Sequence, residues 1–330
     1  MRIMRMLRSG CITLLLHCSL TRAVAAAEWL PTIAPGITVL AGHYTPGQQP
    51  DGNSVLVDTA AGALLFDSGR HVSHTAALRV RIEAGGVPLK LLVNSHWHLD
   101  HIAGNPMLRR AFPEVRVLGS GAVRQALATG GFLDRYRSQL AEQLARTDLA
   151  SAARDQYRAE IARIDAGPAL FPDEVVTAGR TLELGGQRFE LHLEARAVTA
   201  GDLWLYAPAA RLVLAGDLVT FPAPFLDTAC AARWQQVLGK IERLDFRQLV
   251  PGHGPLLDHA GFVRWRKAYD GLLACAGANT TAGVCADAWV RGLGPLLPPA
   301  QQRFTRAMIG YYVDEVLRLP EGQHKACAPA

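Results

Sequence analysis

The sequence carries almost no net charge outside its first 27 residues. The chain of 330 residues has 34 basic and 29 acidic side chains, and four of its arginines precede residue 28. Setting those four aside leaves 30 basic side chains against 29 acidic ones. This balance excludes the strongly basic surface that nucleic acids or an anionic membrane require. The expected partner is therefore a small-molecule substrate, with no nucleic acid.

The sequence also lacks an apolar run long enough to cross a bilayer near its N-terminus. The apolar stretch from Cys11 to Leu20 ends at Thr21 and Arg22, whereas a transmembrane helix needs about 20 apolar residues. Arginines before this stretch and small residues after it are typical of a secretory signal. We therefore predict a signal peptide over residues 1–27, a periplasmic or secreted location, and no membrane anchor after its removal.

Cysteine is scarce. Beyond residue 27 the chain holds only Cys230, Cys275, Cys285 and Cys327. An even number of cysteines in an exported protein indicates disulfides. Cys275 and Cys285 are the expected pair because they are close in sequence. The pairing of the other two stays open, and so does the alternative of four buried free thiols.

No short-period repeat is present, and the pattern of apolar runs indicates one main domain. Runs separated by Gly, Pro and Asp predict a β-meander near the N-terminus, and Gly185-Gly186 between two such runs predicts a hairpin. Each group of strands is followed by helices. This order predicts an α+β fold in which two sheets pack face to face with helices outside. The domain is expected over residues 28–258.

Two helical segments are expected as additions to this domain. Residues from about 121–166 are rich in Ala, Leu, Gln and Arg and predict a helical insertion, whose arginines we interpret as a solvated face. Residues 259–330 predict a C-terminal helical extension. Its apolar residues at helical spacing are Phe304, Met308, Tyr312 and Val316. This stripe is expected to pack into the core.

Histidine is concentrated in residues 94–105, directly after an apolar strand. The segment contains His96, His98, Asp100 and His101. In an extended chain alternate side chains face the same way, so the first three are expected to converge on one point while His101 turns toward another. Imidazole and carboxylate together suit a divalent transition metal, of which zinc is the commonest. The competing interpretation is a solvated polar loop.

Two later strand ends carry further ligand types. Asp217 follows an apolar strand, and His253 lies between two glycines that would let the backbone approach a metal. Asp67 ends the N-terminal meander. His71 and His74, at the start of a predicted helix, are interpreted as surface residues.

This set of residues resembles the metallo-β-lactamase superfamily over about residues 37–257, which implies an αββα sandwich. In that family the first metal is held by the first two histidines of the motif and a later histidine. The second metal is held by the Asp-His pair and a final histidine, and an aspartate bridges both. The ligands implied for this chain are His96, His98, Asp100, His101, Asp217 and His253.

The later histidine of the first position is missing. The matching segment keeps the Thr and the Gly-Asp of the family but has Val198 at the ligand place, and valine cannot bind metal. We therefore expect one or two Zn²⁺ ions, with the second position favoured. The ion would activate water, and Asp100 or Asp217 would orient it or accept its proton. His192 and Glu194 are interpreted as cross-strand surface groups rather than replacement ligands.

Asp217 and His101 resemble the glyoxalase-II-type ligand set more than the cysteine-containing lactamase set. The N-terminal signal, the helical insertion and the cysteine-bearing extension are similar to those of the quinoprotein relay system zinc metallohydrolases. These are exported relatives of the sulfur-oxidation metallohydrolases, associated with quinoprotein dehydrogenase systems. The resemblance implies a zinc-dependent hydrolase acting on an ester, thioester or amide-like bond. The alternatives are a periplasmic β-lactamase, a degenerate binding protein without catalysis, and an iron sulfur-dioxygenase. The last is ranked lowest because Val198 removes a ligand that it needs.

Overall fold

The computed structural model describes residues 28–44, 48–319 and 327. The signal peptide predicted over residues 1–27 lies outside these residues. The strands are β1 (Ile37–Leu40), β2 (Ser54–Thr59), β3 (Gly62–Phe66), β4 (Leu89–Val93), β5 (Arg116–Gly119), β6 (Glu174–Val175), β7 (Arg180–Leu184), β8 (Gln187–Glu194), β9 (Asp202–Ala207), β10 (Leu212–Gly216) and β11 (Gln248–Pro251). The helices are α1 (Val72–Gly85), α2 (Leu99–Ile102), α3 (Asn105–Ala111), α4 (Ala122–Leu127), α5 (Phe132–Leu144), α6 (Ser151–Ile164), α7 (Ala231–Glu242), α8 (His259–Ala276), α9 (Ala282–Leu293) and α10 (Pro299–Tyr312).

The strands form two sheets with the same plan. The first has the order β1-β2-β3-β4-β5-β6, and the second has the order β11-β10-β9-β8-β7. Each sheet begins as an antiparallel meander and continues through parallel pairs after a helical crossover, β3 with β4 and β10 with β11. The predicted α+β fold with two sheets and outer helices is confirmed.

The central strands are apolar on both faces because each face meets a different layer. In β2, Val55 and Val57 point into the core between the sheets, whereas Leu56 points to the outer helices. This is the period-two alternation of a strand covered on both sides. A second large core, containing Trp204, Trp234, Trp265 and Trp289, fills the space between the second sheet and helices α7 to α10.

The predicted insertion consists of three separate helices, α4, α5 and α6. Gly130 and Gly131 separate the first two, and the backbone of Gly130 has a positive φ of 76°. Apolar side chains of these helices pack with Trp97, Leu99 and Ile102 beside the histidine motif. The insertion therefore lies against the segment that carries the candidate ligands.

The C-terminal extension forms helices as predicted, but its apolar stripe is rotated from the expected one. Thr305, Ile309 and Tyr312 are the buried residues of α10, whereas Phe304 is 46% exposed. The expectation that Phe304 lies in the core was therefore wrong. The buried face of the helix packs on Trp289 and its neighbours, and this orientation leaves the side chain of Phe304 on the surface.

Two disulfides link the C-terminal half of the chain. Cys275 pairs with Cys285, as their spacing predicted. Cys230, at the start of α7, pairs with Cys327. Such bonds persist in oxidising compartments. Among the described residues, no helix combines the length and apolar character that a membrane span needs.

Candidate metal centre

The candidate ligands lie at the carboxyl ends of strands from both sheets. Strand β4 ends at Val93 and leads into the histidine motif, β10 ends one residue before Asp217, and β11 ends two residues before His253. Asp67 follows β3 directly. Because parallel strands end at the same sheet edge, the topology brings these distant residues together at one edge of the sandwich.

Two overlapping groups of side chains could hold a metal ion. One group is His96, His101 and Asp217, and the other is Asp100, His101 and His253; within each, the ligand atoms lie within 4.8 Å of one another. His101 Nε2 is 3.3 Å from Asp217 Oδ1 and 3.6 Å from Asp100 Oδ2. His253 Nε2 is 3.0 Å from Asp100 Oδ2. His101 thus stands at the centre, whereas the extended-chain argument expected it to turn away.

That expectation was wrong because the motif is not extended. Residues 95–98 bend, and the chain then enters the short helix α2. The helical turn places Asp100 and His101 on the same side as His96. His98 instead joins neither three-residue group of the described residues.

Three of the atoms facing the centre make no hydrogen bond within the part of the chain that the structure describes. His96 Nε2, His101 Nε2 and Asp217 Oδ1 are buried and make no hydrogen bond among the described residues. Leaving three polar atoms unpaired in the interior is unfavourable by about 1–3 kcal/mol each. A divalent cation coordinated by all three would remove that penalty, so the donor set fits a metal such as zinc.

Hydrogen bonds behind the rings leave each Nε2 free. Asp67 Oδ2 accepts from His101 Nδ1 at 2.8 Å and from Ser95 Oγ at 2.7 Å. Because the Ser95 hydroxyl donates to Asp67, its oxygen accepts from His96 Nδ1 at 2.9 Å. Both imidazoles therefore hold a proton on Nδ1, on the far side, so that each presents a lone pair at Nε2 in its neutral form. A carboxylate behind a histidine ligand is a common feature of metal sites.

Electrostatics favour ionised carboxylates at the centre. Burial alone would raise the pKa of Asp217, but His253 and His101 outweigh it, and the pKa lies below its ordinary range. Burial likewise opposes ionisation of Asp100, but His101 and Arg70 hold its pKa well below the usual value. Burial lowers the pKa of His96, whereas the surrounding carboxylates outweigh burial at His101 and His253 and raise the pKa of both. Because a metal binds ionised carboxylates and neutral imidazoles, an ion entering here would release a proton from each of these two histidines.

A glycine allows the two later strand ends to approach each other. A Cβ on Gly252 would lie 2.0 Å from Asp217 Oδ1. The backbone before His253 therefore touches the aspartate, as the glycines on either side of this histidine suggested. Any side chain at residue 252 would push Asp217 out of the centre.

The place of the missing histidine is filled by core packing. Val198 is fully buried and belongs to the core under the second sheet. Its carbonyl oxygen accepts a hydrogen bond from Thr228 Oγ1 at 2.9 Å. Thr228 Oγ1 also lies 3.3 Å from His98 Nε2. The carbonyl can only accept, so the Thr228 proton is used there and His98 Nε2 donates to Thr228. His98 is thereby tied to a loop rather than to the groups around His101.

The two residues considered as replacement ligands lie elsewhere. His192 stacks on Trp204 with ring centroids 3.8 Å apart, and neither His192 nor Glu194 joins the metal-binding groups of the described chain. Glu194 is buried rather than on the surface, and it accepts from Lys240 Nζ at 2.7 Å. His74 is also buried, contrary to expectation, with Nε2 2.9 Å from Ser54 Oγ.

Sequence reasoning missed a charged network behind Asp100. Arg70 donates to Asp100 Oδ1 at 3.2 Å and to Glu160 Oε2 at 2.6 Å. Arg163 donates to the other oxygen of Glu160 at 2.6 Å. Glu160 is only 1% exposed although it belongs to the insertion helix α6. Glu160 and Arg163 are close together on α6, but Arg70 is 90 residues away in sequence. Only the fold brings Arg70 to this pair, so that contact leaves no local sequence signal.

The comparisons with known proteins agree with this geometry. A family model described as the metallo-beta-lactamase superfamily matches residues 48–263. The atrochrysone carboxyl ACP thioesterase of Aspergillus fumigatus is 34% identical over 88 residues, which cover 26% of this chain and 27% of that protein. The match therefore spans about a quarter of the curated relative.

Solved structures show the same fold at low sequence identity. A metallo-beta-lactamase from Pontibacter korlensis has a TM-score of 0.54 and 20% identity, covering 74% of this chain and 99% of that one. A double mutant of the sec-alkyl sulfatase PisA1 has a TM-score of 0.57 and 15% identity, covering 87% of this chain and 50% of that one. Because the family model matches more than half of the sequence, this protein belongs to the metallo-beta-lactamase superfamily.

Proposed function

We propose that this protein is an exported zinc-dependent hydrolase that cleaves an ester, thioester or amide-like bond of a small molecule. The observation that carries the proposal is the convergence of three buried, unpartnered atoms, His96 Nε2, His101 Nε2 and Asp217 Oδ1. Superfamily membership adds hydrolytic chemistry, and the thioesterase relative favours a thioester among the candidate bonds. The iron sulfur-dioxygenase alternative finds no support in these observations.

The side chains divide the work of holding a metal and handling a proton. A divalent ion bound here would polarise the scissile carbonyl and acidify the attacking water. Asp100 has one oxygen paired with Arg70 and the other 3.0 Å from His253 Nε2. Asp217 keeps Oδ1 without a hydrogen bond. Of the two proposed catalytic carboxylates, Asp217 is therefore the better placed to accept a hydrogen bond from water.

We propose that the second position, formed by Asp100, His101 and His253, binds more tightly than the first. With valine at residue 198, the first position lacks one ligand. His98 forms a hydrogen bond from Nε2–H to Thr228 and belongs to neither metal-binding group. Three ligands with Asp217 nearby satisfy the ordinary coordination of catalytic zinc. The expected stoichiometry at limiting zinc is one ion per chain.

Metal analysis and a substrate panel test the proposal. The mature protein is purified with zinc present, its metal is measured, and esters, thioesters and a chromogenic cephalosporin are offered. Asp217→Asn is expected to lower zinc affinity and turnover by about 100-fold. Asp245→Asn, which changes an exposed aspartate paired with Arg211, serves as the control. A parent protein that binds no zinc would contradict the proposal, whereas cephalosporin as the preferred substrate would favour a β-lactamase.

Val198 also motivates a second candidate, a binding protein that keeps the scaffold without catalysis. Val198→His restores the ligand that the family places there and is expected to raise the zinc stoichiometry from one to two. If the parent hydrolyses no member of the panel and only the variant does, the parent is a binding protein. Activity in the parent at one zinc per chain supports the hydrolase.

Export and a quinoprotein partner belong to the same proposal. The disulfides favour an oxidising compartment, and the signal prediction gives the route. The link to a quinoprotein dehydrogenase system rests on the family resemblance of the sequence. N-terminal sequencing of the protein from the periplasm, and its co-purification with a quinoprotein, would test the two parts separately. A chain that begins at Met1 in the cytoplasm would contradict export.

A further inference from the structure

Exposed aromatic side chains gather at one place on the surface. Among the described residues, three aromatic side chains are exposed: Tyr44 at 54%, Phe304 at 46% and Tyr311 at 49%. The rings of Tyr44 and Phe304 stack with centroids 5.8 Å apart. Phe304 and Tyr311 are seven residues apart on α10, so they share one face of the helix, with Met308 between them. We call these four residues the aromatic rim.

One end of the aromatic rim is linked through a loop to His98 of the histidine motif. Tyr311 donates to Asp227 Oδ1 at 2.9 Å, and the next residue, Thr228, contacts His98. Tyr312, beside the rim, lies 6.4 Å from the ring of Phe225, which itself lies 5.1 Å from the ring of His98. An unbroken series of rings therefore connects α10 to the motif.

The other end of the aromatic rim is linked through a second loop to a residue that packs on His101. Tyr44 follows His43, whose carbonyl accepts from Asp51 N at 3.1 Å. The neighbouring Gly52 packs so closely on His101 that a Cβ there would lie 2.5 Å from its Cε1. The aromatic rim is therefore linked through one loop to His98 and through another to the residue that packs on His101.

We propose that the aromatic rim binds a flat apolar acyl group of the substrate, next to the bond that is cleaved. This inference rests on the proposed hydrolytic function and names its substrate class as aromatic acyl esters or thioesters. Large rings left in water beside a centre of buried polar ligands match the usual composition of a ligand site, in which apolar walls flank a few polar groups. The rim lies largely outside residues 48–263, so the extension would supply specificity rather than chemistry.

A single surface substitution tests the site without touching the candidate ligands. The ratio of kcat/KM for a 2-naphthoyl thioester to that for the acetyl thioester is expected to fall about tenfold in Phe304→Ala, because one stacking surface is lost. Val284→Ala, which removes an exposed side chain from α9, is expected to leave the ratio unchanged. Equal ratios in parent and Phe304→Ala would overturn the proposal.

Binding of free 2-naphthoate, measured by calorimetry, gives a readout that does not need turnover. We expect the parent to bind it and Phe304→Ala to bind it about tenfold more weakly. This result would support the aromatic rim even if the parent hydrolysed nothing, so failure of the hydrolase proposal is separable. Absence of binding, or equal affinity in both proteins, would overturn the proposal. So would a parent dimer that becomes a monomer in Phe304→Ala, since the rim would then be an interface between two copies.

Discussion

At the scale of single residues, the centre depends on side chains that never face the metal. Asp67 and Ser95 fix the proton positions of two imidazoles, and Arg70 occupies one oxygen of Asp100. Asp67 adopts a positive φ of 63°, a backbone conformation that is uncommon for any residue but glycine. The residues behind the ligands therefore set which lone pairs point inward.

Glu160 is expected to stabilise both the fold and the metal site. Glu160→Ala leaves Arg70 and Arg163 buried without their shared carboxylate, which should lower the free energy of unfolding by about 3–5 kcal/mol. Zinc affinity should also fall, because Arg70 without Glu160 would pair with Asp100 only and would compete more strongly with the metal for that carboxylate. Urea denaturation and competition with a zinc chelator measure the two effects. Asp155→Asn, in an exposed pair on the same helix, is the control, and equal effects of both variants would contradict the prediction.

His74 is expected to make stability depend on pH. Burial lowers the pKa of His74 from 6.5 to about 4, so the unfolded chain binds more protons than the folded one between these values. The free energy of unfolding should therefore rise with pH over this window and fall on acidification, by at most about 3 kcal/mol. Urea denaturation at pH 4 to 7 measures the slope.

The slope should become shallower in His74→Gln without vanishing, because burial also lowers the pKa of His96 and of His98. It should be unchanged in His259→Gln, which changes an exposed histidine at the start of α8. A slope in His74→Gln equal to that of the parent would contradict the prediction.

At the scale of elements, the added helices are joined to the site rather than attached beside it. Helix α6 brings Glu160 to Arg70, and α10 brings Phe304 to Tyr44. The short helix α2 decides that Asp100 and His101 share a side with His96. The sequence pattern of each of these helices predicts the helix but not the contact that it makes with the site.

The two disulfides should differ in what they contribute to stability. Cys230 and Cys327 are 97 residues apart, whereas Cys275 and Cys285 are 10 apart. Cross-linking a longer loop restricts the unfolded chain more, so removing the first bond should lower the free energy of unfolding by about 2 kcal/mol more than removing the second. Paired Cys→Ser variants compared by urea denaturation give the difference. A larger loss from the 275–285 pair would contradict this loop-entropy account.

At the scale of the whole molecule, two sheets must stay packed for the centre to exist. The first sheet supplies the histidine motif, and the second supplies Asp217 and His253. A metal ion held by side chains from both sheets would therefore stabilise the packing of the two sheets. The buried atoms without hydrogen bonds destabilise the metal-free fold, so an ion that they coordinate would add to this stabilisation.

Metal removal is expected to destabilise the entire fold. At free zinc 100-fold above its dissociation constant, binding to the folded state alone adds about 2.7 kcal/mol to the free energy of unfolding. Chelation followed by dialysis should therefore lower the melting temperature, and added zinc should restore it. Asp217→Asn is the matched variant in which the response should be much smaller. A melting temperature that ignores chelation in the parent would contradict a metal shared by the two sheets.

The sequence by itself determined the two-sheet architecture, and it identified the candidate ligands and the valine at the place of the family's later histidine. Apolar periodicity and turn residues are local signals, and so is a dense histidine motif after a strand. It could not place His98 and His101 correctly, because the extended-chain rule fails where residues 95–102 bend into a helix.

Only the tertiary structure decided which polar atoms of the centre lack a hydrogen bond. It also decided that Glu160 pairs with Arg70 and that Phe304 is exposed to solvent. These depend on contacts between residues far apart in the chain, such as residues 70 and 160 or 44 and 304. Local pattern can assign a side chain to a helix face, but the packing of whole elements decides what that face meets.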